Sequence, residues 1–434
     1  MQRWVQLGLL AVSQLLAMAL WFSASAVGDQ LKDAWRLDDG HQAWLTMSVQ
    51  FGFVAGAFAS ALLNLADHWS PHRLIAIAAG CGAACNATIP LFVTDAFAQT
   101  TAGFSVVVAL RFATGVCLAG VYPPAMKVVA TWFKSGRGLA IGIMVGALTI
   151  GSASPHLFKA FARNDESATP IAAADEDRTS AEAANSLSAG TTTRWQDVLL
   201  TASATAVLSA LVTILFVRSG PLLPARSPFD FGYAMRAWKN LAVRRANFGY
   251  LGHMWELYAM WASAPLFVAG VCQSGGWSRT AALTVAFATI GIGGVGSALA
   301  GAFADKFGRC RTTIVSMAIS GGCALLIGFL PPIPLLIAAV CLIWGISVVA
   351  DSAQFSTAVS ELCEQDYVGT ALTLQTCAGF LLSAITIRAV PWLQSSVGNE
   401  VAFGMLAIGP AFGIWHMARL RGMPEAEKMA SGAK

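Results

Sequence analysis

The chain has little charge. Of its 434 residues, 12% are Asp, Glu, Lys or Arg, whereas 56% are hydrophobic, which excludes an ordinary soluble protein of two or three domains. The apolar residues form twelve stretches of about 18 residues or more, each long enough to cross a hydrocarbon core of about 30 Å. These stretches lie near 5–27, 44–65, 74–93, 102–126, 139–161, 198–217, 247–271, 280–303, 312–330, 335–360, 369–390 and 400–418. The sequence therefore predicts an all-α membrane protein with twelve transmembrane helices.

Several catalytic signatures are also missing. The sequence contains no Walker phosphate loop, no Gly-x-Ser-x-Gly elbow and no His-Glu-x-x-His pair, which disfavours an ATP-driven pump or a membrane protease. Nine cysteines, an odd number, lie mostly in apolar stretches and predict no disulfide framework. Cys81 and Cys85 share a helix face, but they have no His or carboxylate neighbours, so we expect no metal site. We predict neither an enzyme nor a bound cofactor, and transport energy would come from a gradient.

The few charges are distributed unevenly between alternate loops. If the N-terminus lies inside, the inner loops are basic and the outer loops acidic, as expected when Lys and Arg fix the orientation. We therefore predict an inner-membrane protein with both termini in the cytosol and a basic middle loop that anchors to membrane lipids. Nucleic-acid binding by that loop is the less favoured alternative. A signal peptide cleaved after Ala24-Ser25-Ala26 is also disfavoured, because cleavage would leave the first half one helix short.

Two polar turns suggest that the chain consists of two related halves. The turn from Gly301 to Arg311 and a reduced copy from Ala66 to Arg73 each follow the second apolar stretch of a half, about 240 residues apart. The predicted segments are a six-helix bundle at 1–217, a cytosolic linker at 218–245, a second six-helix bundle at 246–421 and a cytosolic tail at 422–434. Residues 163–195 lack an apolar period and predict a disordered extracytosolic loop, with a small folded cap as the alternative.

Three ionisable residues inside the predicted spans are candidates for proton coupling. A charge near the bilayer centre costs about 2.5 kcal/mol or more, so each such residue needs a partner, a cavity or a function. His253 and Glu256 are three residues apart in the seventh span and therefore share a helix face. Asp351 in the tenth span lies at a similar depth, which permits a shared site. A hydrogen-bonded structural group is the alternative.

Candidate substrate contacts come from both halves. Arg111 in the fourth span could meet an anion or take part in proton release, although a structural arginine that reaches the interface is the alternative. Gln50 supplies a polar side chain in the second span. Trp21, Tyr258 and Trp261 could line a cavity, but aromatic side chains often form interfacial belts. Only Trp255, beside the candidate proton-coupling residues, is therefore assigned to the site together with Arg111 and Gln50.

The Gly301 to Arg311 turn resembles the loop motif of the major facilitator superfamily, Gly-x-x-x-Asp-(Arg/Lys)-x-Gly-x-(Arg/Lys)-(Arg/Lys). The resemblance implies two pseudo-symmetric six-helix bundles and a turn that locks the outward-facing state. The first-half copy lacks both glycines and has His68 where a cation is usual. By resemblance, the gating residues are Asp67, Arg73, Gly301, Asp305, Lys306, Gly308, Arg309 and Arg311.

Further motifs compare the chain with particular branches of this superfamily. Arg111 followed by Gly115 resembles a fourth-span motif associated with proton transfer, and the 132–142 stretch is similar to anion-carrying members. The arginines of nitrate porters are missing from the second and eighth spans, and Gly151-Ser-Ala-Ser-Pro155 departs from the drug antiporter motif. These departures disfavour nitrate transport and weaken the case for drug efflux.

The predicted function is secondary active transport. We expect a monomeric carrier that moves a small solute, of which an organic or inorganic anion is one candidate, across the inner membrane by proton-coupled alternating access. Drug or metabolite efflux by proton antiport is the first alternative. A membrane sensor that transports nothing is the second, although no signalling domain is visible in the sequence.

Overall fold

The computed structural model describes residues 2–63, 65, 69–133, 136–161, 194–222, 232–233, 238–364 and 367–432. These residues form twelve long helices. Helices suit a membrane because each satisfies its backbone hydrogen bonds within itself. The helices are α1 (Gln2–Met18), α2 (Asp39–Leu62), α3 (Pro71–Phe92), α4 (Thr101–Trp132), α5 (Arg137–Phe161), α6 (Trp195–Phe216), α7 (Leu241–Ser274), α8 (Arg279–Phe307), α9 (Arg309–Ile327), α10 (Pro334–Leu362), α11 (Val368–Ser396) and α12 (Asn399–Arg421).

Ten of these helices are long and apolar enough to cross a membrane, and α1 and α7 complete the twelve. The 17 regular residues of α1 are followed by turns and by a 3₁₀ segment, Ser25–Val27. The 34 residues of α7 would extend about 51 Å at 1.5 Å per residue, which exceeds a bilayer core. This helix begins at Leu241, inside the predicted linker. The predicted loop at 163–195 lies outside the described residues except for its last two.

Several helices are interrupted near their middle. The predicted first span runs to residue 27, but regular helix ends at Met18 and turns follow, which we call the break after α1; α10 breaks at Asp351 between Pro334–Ala350 and Ser352–Leu362. Ser and Asp favour such breaks because their side chains compete with the backbone for hydrogen bonds. A broken helix is tolerated in a membrane only where its free backbone groups find partners in protein or in a polar cavity. The breaks after α1 and in α10 therefore identify where the interior is polar.

Two helix pairs make the most extensive contacts between the two halves. α5 packs against α8, and α2 packs against α11. Glycine permits the first contact: a Cβ atom at Gly142 would lie 2.7 Å from the Ser297 carbonyl oxygen, and one at Gly146 would lie 2.7 Å from that of Gly294. Small residues allow this close backbone approach between membrane helices.

The end of the chain packs beneath the second half. The side of the bundle at which α1 begins and α12 ends is called the termini side. There the 3₁₀ segment Pro424–Gly432 lies against the second part of α10 and buries Ala426 and Met429 completely. Residues 422–434 were predicted as a cytosolic tail, and within its described part Ala426 and Met429 are packed against the bundle.

Candidate functional site

Six aromatic side chains meet between the two halves, midway along their spans. Trp21 stacks on Tyr258 with ring centroids 5.8 Å apart and contacts Phe53 and Phe380 at 5.1 and 5.4 Å. Phe380 also contacts Tyr258 at 4.9 Å. All six are buried, and they come from both halves. We call this group the central aromatic cluster; its members are Trp21, Phe22, Phe53, Tyr258, Trp261 and Phe380.

Polar groups extend the cluster along the contact of α2 with α11. The Ser383 hydroxyl donates to Gln50 Oε1 at 2.8 Å, one turn from Phe380 and Phe53 respectively. Both side chains are fully buried. Gln50, predicted from the sequence as a substrate contact, thus lies at the junction of the halves. Its side-chain amide lies one helical turn along α2 from Phe53, a member of the central aromatic cluster.

Arg111 lies behind this cluster, inside the first half. Its guanidinium donates to the carbonyl oxygens of Leu20 at 3.0 Å, Trp21 at 2.6 Å and Leu45 at 3.2 Å. Leu20 and Trp21 lie in the turns that follow α1, where no regular helix satisfies their carbonyls. Arg111 therefore stabilises the break that places Trp21 and Phe22 in the cluster.

A side-chain network completes the surroundings of Arg111. Its Nη1 atom also donates to Ser23 Oγ at 3.1 Å and to Asn86 Oδ1 at 3.0 Å. The Asn86 amide nitrogen donates in turn to Leu199 O and Ser203 Oγ on α6, both at 3.0 Å. The network joins α1, α3, α4 and α6, so it fixes the interior of the first half.

His253 and Asp351 form a buried pair in the second half. His253 Nδ1 lies 2.9 Å from Asp351 Oδ1, and the two side chains are 2% and 1% exposed. His253 Nε2 lies 2.9 Å from Ser352 Oγ, so both ring nitrogens have a partner. Asp351 and Ser352 flank the break in α10. The structure therefore brings together two of the three residues predicted for proton coupling.

Glu256 occupies a separate position one turn further along α7. Its Oε1 accepts from Trp344 Nε1 at 2.7 Å, and its Oε2 accepts from Ser320 Oγ at 2.8 Å. Its partners belong to α9 and α10, inside the second half. The Trp255 side chain contacts a third region, because its indole N–H donates to the Met405 carbonyl oxygen of α12 at 3.1 Å. Trp255 is therefore not joined to Gln50 or Arg111.

The polar turn after α8 forms an ion-pair network on the termini side. Arg309 pairs with Asp305 and Glu361, with Nη1–Oδ1 and Nη2–Oε1 distances of 2.9 and 3.0 Å. Arg309 also donates to Gln354 Oε1 at 3.0 Å. The Asp305 carboxylate lies against the start of α5, where a Cβ at Gly138 would collide with it. A carboxylate is favoured at a helix N-terminus, so Asp305 links the two halves.

The other predicted gating residues differ in their surroundings. Gly308 has φ +97°, a conformation that favours glycine, and Gly301 lies against the Gly138 backbone, where a Cβ would be 2.5 Å from the carbonyl oxygen. Lys306 lies 5.1 Å from the Phe307 ring centroid. Arg73 and Arg311 are exposed at the starts of α3 and α9. Asp67 lies outside the described residues.

Sequence reasoning missed part of this arrangement. Phe22, Phe53 and Phe380 are ordinary apolar residues in the sequence, and Trp21 was interpreted as part of an interfacial aromatic belt. Tyr258 and Trp261 gave a usable signal, because they lie in the middle of the seventh span rather than at a membrane interface. Glu361 was missed because its partner Arg309 is 52 residues away.

Comparison with known proteins agrees with this architecture. A family model described as Major Facilitator Superfamily matches residues 10–155. A solved structure of the proton:xylose symporter XylE, bound to 6-bromo-6-deoxy-D-glucose, is similar with a TM-score of 0.66 and 14% identity, over 96% of this chain and 95% of that one. A bacterial homologue of the human lysosomal transporter Spinster, inward-facing and unoccupied, has a TM-score of 0.57 and 17% identity, over 96% and 94%. No curated protein matches the sequence.

The family match covers less than half of the chain, and the two solved structures show that the whole chain shares the fold of multi-pass membrane transporters. The chain therefore has the twelve-helix fold of these transporters, and its first part matches the model of the major facilitator superfamily.

Proposed function

We propose that this transporter couples the movement of a small organic solute to the movement of protons across the inner membrane by alternating access. The supporting observation is the His253–Asp351 pair, which is almost completely buried within the second half. Ionisable residues inside membrane spans commonly form proton relays, because a buried charge costs free energy and is seldom kept without a function. The XylE symporter, which shares the fold, moves protons together with xylose.

The arrangement suggests how the coupling works. A proton taken up by the pair would neutralise Asp351 or charge His253 and so change their attraction across α7 and α10. Because Asp351 lies at the break in α10, the change acts where that helix can bend most easily. Glu256 is a second candidate in the relay; Trp344 and Ser320 each donate to one of its oxygens, and each oxygen keeps a second lone pair that a proton can occupy.

The gating residues fit the same proposal. Asp305 and Arg309 hold the end of α8 against the start of α5, which closes the halves on the termini side. We propose that this side faces the cytosol and that the network must open once in each cycle. Export of the solute is the second candidate direction, since an aromatic and weakly polar centre would also suit the apolar compounds that efflux carriers move.

The test is solute-dependent proton flux in proteoliposomes that contain a pH-sensitive dye. We expect Asp351→Asn and His253→Gln to abolish coupled proton movement while exchange of labelled for unlabelled solute continues, because exchange needs no net proton transfer. Asp33→Asn, an exposed carboxylate, is the matched control. Unchanged proton flux in both variants would contradict the coupling role, and loss of exchange as well would indicate a structural role.

A further inference from the structure

Three buried hydrogen-bond donors at the central aromatic cluster have no partner within the described part of the chain. They are Trp21 Nε1, Trp261 Nε1 and Gln50 Nε2. Their side chains are 1%, 1% and 0% exposed. A buried N–H without an acceptor is unfavourable, and native proteins keep few of them without a functional reason. Three on one cluster, contributed by both halves, indicate a position where something else supplies acceptors.

The charge of the missing partner follows from the groups around it. All three donors are neutral, and each presents the positive end of an N–H dipole. A cation would meet these dipoles unfavourably. An anion would leave water without gaining a countercharge from Arg111, because Arg111 is directed at backbone carbonyls, Ser23 and Asn86. The donors therefore match an uncharged ligand with exposed acceptor atoms.

The shape of the ligand follows from the rings. Trp21 and Phe22 both stack on Tyr258, with interplanar angles of 26° and 12°, and Trp261 contacts Phe22 edge-on. Aromatic faces of this kind hold flat or cyclic bodies by offset stacking. The rings touch one another in this structure, so a ligand must separate Trp21 from Tyr258, which belong to opposite halves. Binding would thus be linked to movement of the halves.

We propose that the central aromatic cluster binds an uncharged cyclic organic solute whose acceptor atoms can together accept two or more hydrogen bonds. The ring of the solute stacks between aromatic side chains of the two halves, and its acceptors receive the N–H groups of Trp21, Trp261 and Gln50. This inference names the solute class for the proposed transport function and rests on it. A neutral solute, rather than an anion, is therefore the favoured substrate.

The test compares three probes of nearly the same shape: benzamide, benzoate and benzamidinium, which are neutral, anionic and cationic. Their affinities for the purified transporter in lipid nanodiscs are measured by calorimetry at equilibrium, without a proton gradient. We expect benzamide to bind at least ten-fold more tightly than either charged probe. Trp21→Phe and Trp261→Phe keep a ring but remove the donor, and each should weaken benzamide binding by roughly two- to ten-fold. Trp392→Phe, on the exposed face of α11, is the matched control.

Each other result has a definite meaning. Preference for benzoate or for benzamidinium overturns the proposal, as does absence of benzamide binding at millimolar concentration. Equal benzamide affinity in the wild type and both Trp→Phe variants also overturns it, because the donors would then be satisfied by water only. The Asp351→Asn variant distinguishes the two proposals. Retained benzamide binding together with lost proton flux supports both of them. If benzamide still binds more tightly than the charged probes and proton flux is unchanged, only the proton-coupling proposal is rejected.

Discussion

Arg111 makes five hydrogen bonds, three of them to backbone carbonyls. A guanidinium suits this task because it presents several donors in a rigid plane, whereas a lysine ammonium is a compact point charge. The side chain therefore acts on the central aromatic cluster, the proposed solute site, through the chain after α1: it stabilises the break, and the break places Trp21 and Phe22. Its sequence-based interpretation as an anion contact stays a prediction, and each of its three guanidinium nitrogens already donates to a carbonyl oxygen.

We expect Arg111→Gln to destabilise the transporter by roughly 3 kcal/mol or more, because several buried carbonyls would lose a donor and each such loss costs about 1–3 kcal/mol. Arg111→Lys should be intermediate. Solute affinity should fall with stability, since Trp21 would no longer be fixed. The measurement is the thermal unfolding midpoint of the purified protein together with its solute affinity, and Arg194→Gln, an exposed arginine, is the control. A direct anion contact would instead give lost affinity for an anionic solute with an unchanged midpoint.

At the scale of elements, the turn after α8 acts together with segments that are far away in the chain. Arg309 meets Glu361 at the end of α10, and Glu361 Oε2 accepts from the backbone N–H of Ala430 at 3.1 Å. The C-terminal segment thus contacts Glu361, and Glu361 pairs with Arg309. Arg309 also pairs with Asp305 of α8, which lies against the start of α5. The sequence predicted the turn and its charges from their local pattern. The C-terminal contact could not be predicted, because Ala430 contributes only its backbone.

Two variants should weaken this network. Glu361→Gln removes the countercharge of Arg309, and a chain ending at Met423 removes the Ala430 N–H together with buried Ala426 and Met429. We expect the termini side to open more often in both, so that Cys363, which is 7% exposed, reacts several-fold faster with a membrane-impermeant maleimide. Labelling is followed in vesicles that expose the termini side. Cys363→Ser gives the background, and Lys428→Gln, exposed in the same segment, is the control. Unchanged labelling in the Glu361→Gln variant would show that the network does not hold this side closed.

At the scale of the whole molecule, the halves are joined by contacts that sequence patterns describe only in part. The twelve spans follow from apolar length, and the repeated turns indicate two halves, so the fold could be predicted. The central cluster could not, because which face of α1, α2, α7 or α11 meets the other half depends on packing. Glycines in α5 signalled close helix contact but not its partner, which proved to be α8 around Gly294.

The alternating-access proposal requires α2 and α11 to separate during the cycle. Cys377 Sγ lies 3.8 Å from the Val54 carbonyl oxygen across this contact, so Val54→Cys places two thiols on opposite halves with a single substitution. We expect oxidation of this variant to form a cross-link, confirmed by mass spectrometry, that stops transport until a reductant is added. Oxidised wild type and Val54→Ser should transport normally, since neither carries the new thiol. Full transport by the cross-linked protein would mean that α2 and α11 stay together throughout the cycle. Access to the two sides of the membrane would then have to alternate by movement at α5 and α8.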